Sequence, residues 1–360
     1  MNKKVSGSKN VTIKDVANKA GVAVSTASMA LNNKPTISSD TKNTVLNVAR
    51  DLGYHPTAAA RALVDGKSSN VGLLIPVKVD SLFFSTGFFQ KLIAGMNRAA
   101  NEGGNMISLQ IVESREETER VITEAYRTKN VSGSIITHPT QEMPYLDVIN
   151  EVSYPVVFLG EPPRNFPYVD NDNYGVTKLA TEHMIEHGHK RIAFLGGPKN
   201  LIASEARERG YRAALEQEGI EVQRRLIWRS RHDEQMAYQE VMNEAGKVEF
   251  SAICISVEEQ MAGVYRALRD LGKSIPDDVA LITIGDCQLA EHINPSMTTL
   301  DLHTEDLGYL AAKKLIRLIN GEERQDSEIV SADLIRRQSC GCNTINGGDK
   351  SKLKVRNSSV

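Results

Sequence analysis

Cysteine is scarce in this chain, with four among 360 residues. That is too few to staple a small scaffold, so the fold must rest on a packed core, and a reducing compartment fits. No stretch approaches the roughly 18 consecutive apolar residues of a membrane-spanning helix. The N-terminal MNKKVSGSKNVTIKDVANKAG lacks the apolar segment of a secretory signal. A cytoplasmic location without a membrane partner is therefore expected. What is present is 41% hydrophobic residues, enough to build a sizeable core and too many for a mainly disordered chain. The length suggests two or three domains.

The net charge of −2 conceals an asymmetry. Residues 1–67 hold 10 lysines and arginines against 4 acids, a net +6; the other 293 residues hold 33 against 41, a net −8. A small basic head on an acidic body points to a module that binds a polyanion. Charge alone fits a solvated basic surface equally well, so the local pattern has to decide.

In the head that pattern is three short helices. Thr12 can cap a helix over about 12–19, with Val16, Ala17 and Ala20 on one face and Gly21 supplying the turn. A second helix over about 24–31 is broken by Asn32, Asn33, Lys34 and Pro35, and a third, capped by Ser38, runs over about 39–52 to Gly53. Helix, glycine turn and helix is the helix-turn-helix arrangement, in which the second helix lies in the major groove. After His55-Pro56, TAAARALVDGKSSN passes from an Ala-rich turn or two into linker chemistry.

From Val71 onward the pattern changes. VGLLIP (71–76), MISLQIV (106–112), SIIT (134–137), PVVFLG (155–160), RIAFLGG (191–197), SAICIS (251–256) and VALITIG (279–285) read as strands. Between them, 88–104, 115–128, 144–152, 174–187, 203–218 and 258–272 read as helices. Continuous apolar strands alternating with amphipathic helices imply parallel sheets covered on both faces, and about ten strands divide into two sheets more readily than they fill one. Ligands bind such sheets beyond the carboxyl ends of the strands.

Taken together, these segments resemble the lactose-repressor/galactose-repressor (LacI/GalR) family of bacterial transcription regulators. The match runs over roughly 11–342. It is carried by TIKDVANKAGVAVSTASMALNN, LGYHPTAAARAL, TEHMIEHGHKRIAFLGG, ARERGYRAAL, IPDDVALITIG and LIRRQSCGC. The resemblance implies an α/β fold: an N-terminal helix-turn-helix head (11–56), a hinge helix and linker (57–69), and a periplasmic-binding-protein-like core of two doubly wound α/β subdomains. The first subdomain would take 70–168 plus 299–327, the second 169–298 plus 328–342, with 343–360 a disordered tail. The implied function is a sequence-specific, non-enzymatic transcriptional regulator, a repressor of a carbohydrate or related catabolic operon. A small-molecule effector of unknown identity between the subdomains would modulate it. Its partners would be operator double-stranded DNA, a second copy of the chain, that effector and, as in some relatives, a corepressor protein; no cofactor is implied. The tail KLKVRNSSV lacks the leucine heptad that makes some members tetramers, which favours a homodimer.

On this resemblance 24–32 is the recognition helix. Val24, Ser25 and Met29 fall where members touch base edges. Thr12, Thr26, Ser28, Asn32, Thr41, Lys42 and Tyr54 fall where they contact phosphates or brace the fold. Short hydroxyl and amide side chains at helix starts can donate to phosphate oxygens and set the register. Met29 replaces an Arg with which many members read guanine. A thioether cannot make that bidentate bond, although it can pack on a thymine methyl. Ala23 replaces the usual capping Ser, so an operator unlike the commonest family site is expected. In the hinge, Leu63 matches the apolar wedge that opens a central base step, and Ala60 the small residue beside it.

For the effector, Arg207 in ARERGY matches the family's ligand-binding Arg, whose donors can grip vicinal hydroxyls or a carboxylate. Gly160, Val257 and Gly285 fall by register where relatives hold sugar hydroxyls with polar side chains. Acids stand one step along at Glu161, Glu258 and Asp286, where strand alternation would turn them to the other face. The loop VKVDSLFFSTG (77–87) is long and rich in Phe. The candidate ligand contacts are Arg207 and Phe89, with the acids Glu161, Glu258 and Asp286 beside the vacated positions, around a remodelled ligand.

Other signals are weaker. HMIEH (183–187) matches the H-x-x-E-H zinc-protease pattern, but Gly188 ends the helix and nothing downstream in sequence suggests a further ligand. Cys340 and Cys342, without a second pair, read as packing residues, so no metal is expected. LGGPKN (195–200) lacks the Lys-Ser/Thr of a phosphate loop. Two other function classes stay open: a ligand sensor without a DNA role, disfavoured by the basic head, and a metal-dependent hydrolase using His183, Glu186 and His187.

Overall fold

The computed structural model describes residues 11–31, 34–54, 68–76, 87–322 and 327–342. The chain divides into two compact units, Met1–Ser68 and Ser69–Val360.

In the first unit α1 (Ile13–Ala20), α2 (Val24–Leu31) and α3 (Ser39–Asp51) match the expected spans to within a residue or so. The Asp15 carboxylate fixes the start of α1 by accepting from the Thr12 N–H at 2.8 Å and its hydroxyl at 2.7 Å. Ser38 caps α3, its hydroxyl accepting from the Thr41 N–H at 3.3 Å. The buried centre is Val16, Ala17, Ala27, Ala30, Val45 and Ala49, ringed by Ile13, Val22, Leu31, Ile37, Leu52 and Tyr54. Small central side chains let three short helices approach closely, and the larger ring residues supply the apolar area. Asn32, and the hinge segment with Ala60 and Leu63, lie outside the described residues, as do the Phe-rich loop through residue 86 and the tail.

In chain order the second unit runs β1 (Asn70–Ile75), α4 (Gly87–Glu102), β2 (Met106–Ile111), α5 (Arg115–Thr128), β3 (Ser134–Thr137), α6 (Tyr145–Val152), β4 (Val156–Leu159) and β5 (Tyr168–Asn171). It continues with α7 (Asn173–Glu186), β6 (Ile192–Gly196), α8 (Ile202–Gln217), β7 (Ile227–Arg229), α9 (Glu234–Glu244), β8 (Ala252–Ile255), α10 (Met261–Asp270) and β9 (Ala280–Ile284). Last come α11 (Gln288–His292), β10 (Thr298–Asp301), α12 (Thr304–Ile319), β11 (Glu328–Val330) and β12 (Asp333–Ile335).

These strands form two six-stranded sheets of matching order, β11-β5-β4-β3-β1-β2 and β12-β10-β9-β8-β6-β7. Every pairing is parallel except β10 with β12. The central strands of each sheet, β1, β3 and β4 in the first and β6, β8 and β9 in the second, are buried on both faces because they are largely apolar. In the first, Leu73, Ile75, Ile135 and Val157 pack on Leu92, Met96, Leu307 and Ala311, while Leu74, Ile136 and Phe158 pack on Ile122, Leu146 and Ile149. In the second, Phe194, Cys254 and Ile282 meet Val176, Met184 and Tyr211, while Leu195, Ile253 and Leu281 meet Val241, Val264 and Leu268.

The chain crosses between the sheets three times: after β5, after β10 and between β11 and β12. The sequence boundaries at 168, 299 and 328 miss these crossings by a few residues, since β5 and β11 belong to the first sheet and β10 to the second. Asn171 joins the crossings, its buried amide donating to the carbonyls of Leu302 at 3.0 Å and Val330 at 2.9 Å. One side chain thus satisfies backbone acceptors that the breaks in both ladders would otherwise leave bare.

Candidate functional site

The carboxyl ends of both sheets face one cavity of about 130 Å3, where a doubly wound sheet binds its ligand. It opens into a cleft of about 1030 Å3 that shares His138, Leu201, His232, Glu258 and Glu259 with it. The first lobe lines the cavity with residues at the ends of β3, β4 and β5 and with Phe88 of α4; the second lobe does so from α8 and beyond β8 and β9.

Arg207 is the central cation. It projects from α8, donates through Nε to Asn173 Oδ1 at 2.8 Å and through a terminal nitrogen to the Ser256 carbonyl at 2.6 Å. Asn173 in turn donates to both Asp170 carboxylate oxygens, at 3.0 and 3.1 Å. A cation, an amide and a carboxylate thus stand in series on the cavity wall, offering donors and acceptors together. Burial lifts the Asp170 carboxyl to about 6, against the opposing pull of the Asn171 and Glu161 N–H bonds and of Arg207. Burial also drives the imidazoles down, His138 to about 4 and His232, with further repulsion from Arg207, to about 3. Both rings are therefore neutral hydrogen-bonding groups at neutral pH. His138 has φ +56 on the cavity wall, a left-handed conformation that is costly outside glycine.

Glu258 closes the site from the second lobe. Its Oε1 accepts from the Phe88 N–H across the lobes at 2.8 Å. Burial, followed by the charge of Glu259, pushes its carboxyl up to about 8. Gly285, at φ +97, makes room for it: a Cβ there would stand 3.0 Å from Glu258 Oε2. Lys91 Nζ donating to the Asp286 carbonyl at 2.7 Å, and Gln141 Nε2 donating to Glu205 at 2.7 Å, also tie the lobes together.

The ligand contacts expected from sequence separate into two groups. Arg207 and Glu258 line the cavity, as do Gly160, Val257 and Gly285. Phe89 is turned into the core of the first lobe, and its neighbour Phe88 faces the cavity instead. Asp286 is not among the lining residues. Its Oδ1 accepts from Thr299 Oγ1 at 2.7 Å and from Arg337 at 2.8 Å, an ion pair within the second lobe. Glu161 also lies off the lining, its N–H donating to Asp170 at 3.1 Å. Sequence reasoning missed Asp170, Asn173, His138 and His232. They carry no local motif and meet Arg207 only through the fold.

In the head, Thr12, Val24 and Ser25 are exposed, and Thr26, Ser28, Met29, Thr41 and Lys42 are partly so. Val24 is 42% exposed at the first turn of α2. Tyr54 packs against the helical core, consistent with a bracing part.

The expectation that nothing downstream joins the two histidines of HMIEH is overturned. The fold brings Cys340 and Cys342 to His183 and His187, with one ligand atom from each within 4.8 Å of all the others.

Comparison with known proteins adds the following. Residues 12–57 match the model of the bacterial regulatory proteins of the lacI family, and residues 181–340 match a periplasmic binding protein-like domain. The HTH-type transcriptional regulator CelR of Thermobifida fusca is 31% identical over 326 residues, covering 89% of this chain and 95% of that one. The ribose operon repressor of Halalkalibacterium halodurans is 32% identical over 310 residues, covering 86% and 90%. The solved complex of CelR with cellobiose superposes with a TM-score of 0.70 at 28% identity, over 91% of this chain and 99% of that one. The lac repressor dimer bound to operator and an anti-inducer shares the fold at 21% identity, with a TM-score of 0.77 over 92% and 99%.

Proposed function

The chain belongs to the lacI family of bacterial regulatory proteins, and from that premise we propose that it is a homodimeric operator-binding repressor of a carbohydrate operon. Its grip on DNA is set by a polyhydroxylated ligand between the lobes. The observation that carries the reading is the Arg207–Asn173–Asp170 series at the joined carboxyl ends of the two sheets. Alternating donors and acceptors suit vicinal hydroxyls, and Phe88 adds a ring for the apolar face of a sugar. A relative that binds cellobiose has the same architecture. Gly160, Val257 and Gly285 contribute no polar side chain to the wall, so selectivity rests on Arg207, Asn173, Asp170 and the neutral imidazoles. A site of this kind discriminates by leaving its buried polar groups unpaired with the wrong ligand.

The regulatory step is a population shift: a ligand that prefers one lobe arrangement biases the DNA-competent state by its differential affinity. The dimer is supported by Met106, Leu109 and Ile111, exposed at 64%, 43% and 38% on edge strand β2. Such an edge is a liability unless a second copy covers it. None of the described helices is long and apolar enough to cross a membrane, and the relatives are regulators rather than enzymes.

Selection of bound sites from random double-stranded DNA, with full-length protein at fixed salt, tests this reading. It should return a palindrome of about 14–18 bp with a flexible central step. Absence of any enriched site, with and without a panel of sugars, would sink it. The same selection on Met29→Arg should gain one guanine per half-site. A bidentate contact there is worth about 1–3 kcal/mol of discrimination.

A further inference from the structure

We propose that His183, His187, Cys340 and Cys342 form a closed four-ligand Zn2+ site that clamps the end of α7 to the last described turn of the chain. His183 lies in the last turn of α7 and His187 caps it, one helical turn apart on the same face. The thiols come from the 3-10 turn Gln338–Cys340 and the residue beyond Gly341. Gly341, at φ +78, is left-handed, which folds the Cys-Gly-Cys segment back on itself. Cys342 Sγ stands 3.5 Å from His183 Nε2 and 3.1 Å from His187 Nε2, and 2.7 Å from Cys340 Sγ. A tetrahedral ion, with Zn–S of about 2.3 Å and Zn–N of about 2.0 Å, sets its ligand atoms about 3.3–3.8 Å apart. The sulfur–nitrogen spacings fall near that range already, and the two sulfurs must separate by about 1 Å to reach it.

The surroundings suit a metal as well. His187 Nδ1 lies 2.7 Å from the His183 carbonyl; donating there, it turns the Nε2 lone pair to the thiols. The Thr298 hydroxyl donates to Cys340 Sγ at 3.1 Å, which favours the thiolate. Two cysteines and two histidines are the donor set of structural zinc. Binding exchanges two thiol protons for one dication, so the site becomes neutral with neutral imidazoles. Four protein ligands leave no position for a water nucleophile, so the site is structural and the H-x-x-E-H segment is not a hydrolase. The ion would close a loop of more than 150 residues between the histidines and the thiols. That tie spans α7, which packs on β6, β8 and β9 of the second lobe, and the segment after β12 at the sheet edge.

The test uses full-length protein, freed of metal under reducing conditions and titrated with Co2+ alone, then Zn2+. The expected result is one Co2+ per chain, with the visible bands of tetrahedral cobalt and thiolate-to-cobalt charge transfer, displaced by one equivalent of Zn2+. Zn2+ alone should raise the Tm by several degrees. Cys342→Ser should remove most of the charge-transfer intensity. His187→Ala, at an exposed position, should weaken Zn2+ binding by about 100-fold and abolish the Tm rise. If Cys342→Ser does not fold, His187→Ala decides. Three outcomes overturn the proposal: an octahedral cobalt spectrum, a Cys340–Cys342 disulfide that persists in reducing buffer, and zinc stoichiometry unchanged in both variants.

Discussion

Arg207→Met should destabilise the second unit by about 3 kcal/mol at pH 8 and remove its response to ligand. The methionine keeps much of the apolar stem and deletes the charge. Asn173 Oδ1 and the Ser256 carbonyl then lose their donor, and Asp170 and Glu259 lose the cation that offsets their burial. Breaking one side of a buried pair costs more than the pair contributes, because the other charge stays behind. The pH dependence separates this from lost packing. Asp170 is raised from 3.8 to about 6 in the folded chain. Folding therefore takes up a proton within that window, and stability falls as pH rises through it. Without Arg207 the carboxyl rises further and the window extends upward, so the variant's deficit should widen from pH 5 to pH 8. Thermal melts of both proteins across that range read it directly. A deficit that is flat with pH would show that Arg207 acts through packing alone. A sugar that changes operator binding of the wild type should need at least about 100-fold more concentration with the variant, the loss expected when a buried polar site goes unpaired.

The long apolar strands and amphipathic helices were legible because burial on both faces leaves continuous hydrophobic runs, and these place the carboxyl ends of the sheets. The short strands were not. YVDN, IWR, TTLD, EIV and DLI are three or four residues long, mix polar with apolar side chains, and become strands only beside a neighbour already in place. That is why the crossings were misplaced by a few residues.

At the site, register put Gly160, Val257 and Gly285 on the cavity wall, but the reading of the adjacent acids went astray for local reasons. Glu258 turns inward because β8 has ended and a 3-10 turn over Glu258–Gln260 has begun, so alternation no longer governs it. Phe88 and Phe89 differ by a helical step of about 100°, which sends one to the cavity and the other to the core. The Cys2His2 cluster joins residues more than 150 positions apart, and no spacing rule of short metal motifs reaches that far.

Glu258→Gln should make the protein more stable at alkaline pH, an unusual sign for a residue that lines a cavity. In the folded chain the carboxyl is raised from 4.5 to about 8, chiefly by burial and secondarily by Glu259. Below pH 4.5 it is protonated in both states and costs nothing. Between 4.5 and 8 the unfolded chain ionises first, so stability falls as pH rises, and above 8 the full penalty stands. The shift sets that penalty at about 5 kcal/mol at most. Glutamine retains an oxygen to accept the Phe88 N–H and fits the space beside Gly285, while removing the charge. The variant's Tm should therefore match the wild type near pH 5 and exceed it by several degrees at pH 8.5. Because closure buries this carboxyl against the start of α4, and burial is what penalises its charge, the wild type should also close less readily as pH rises. Small-angle scattering of the DNA-free protein should show the wild type expanding between pH 6 and 8.5 and Glu258→Gln staying compact. A wild type whose dimensions and Tm track those of the variant at every pH would mean that Glu258 is ionised throughout, held by a partner other than the Phe88 amide.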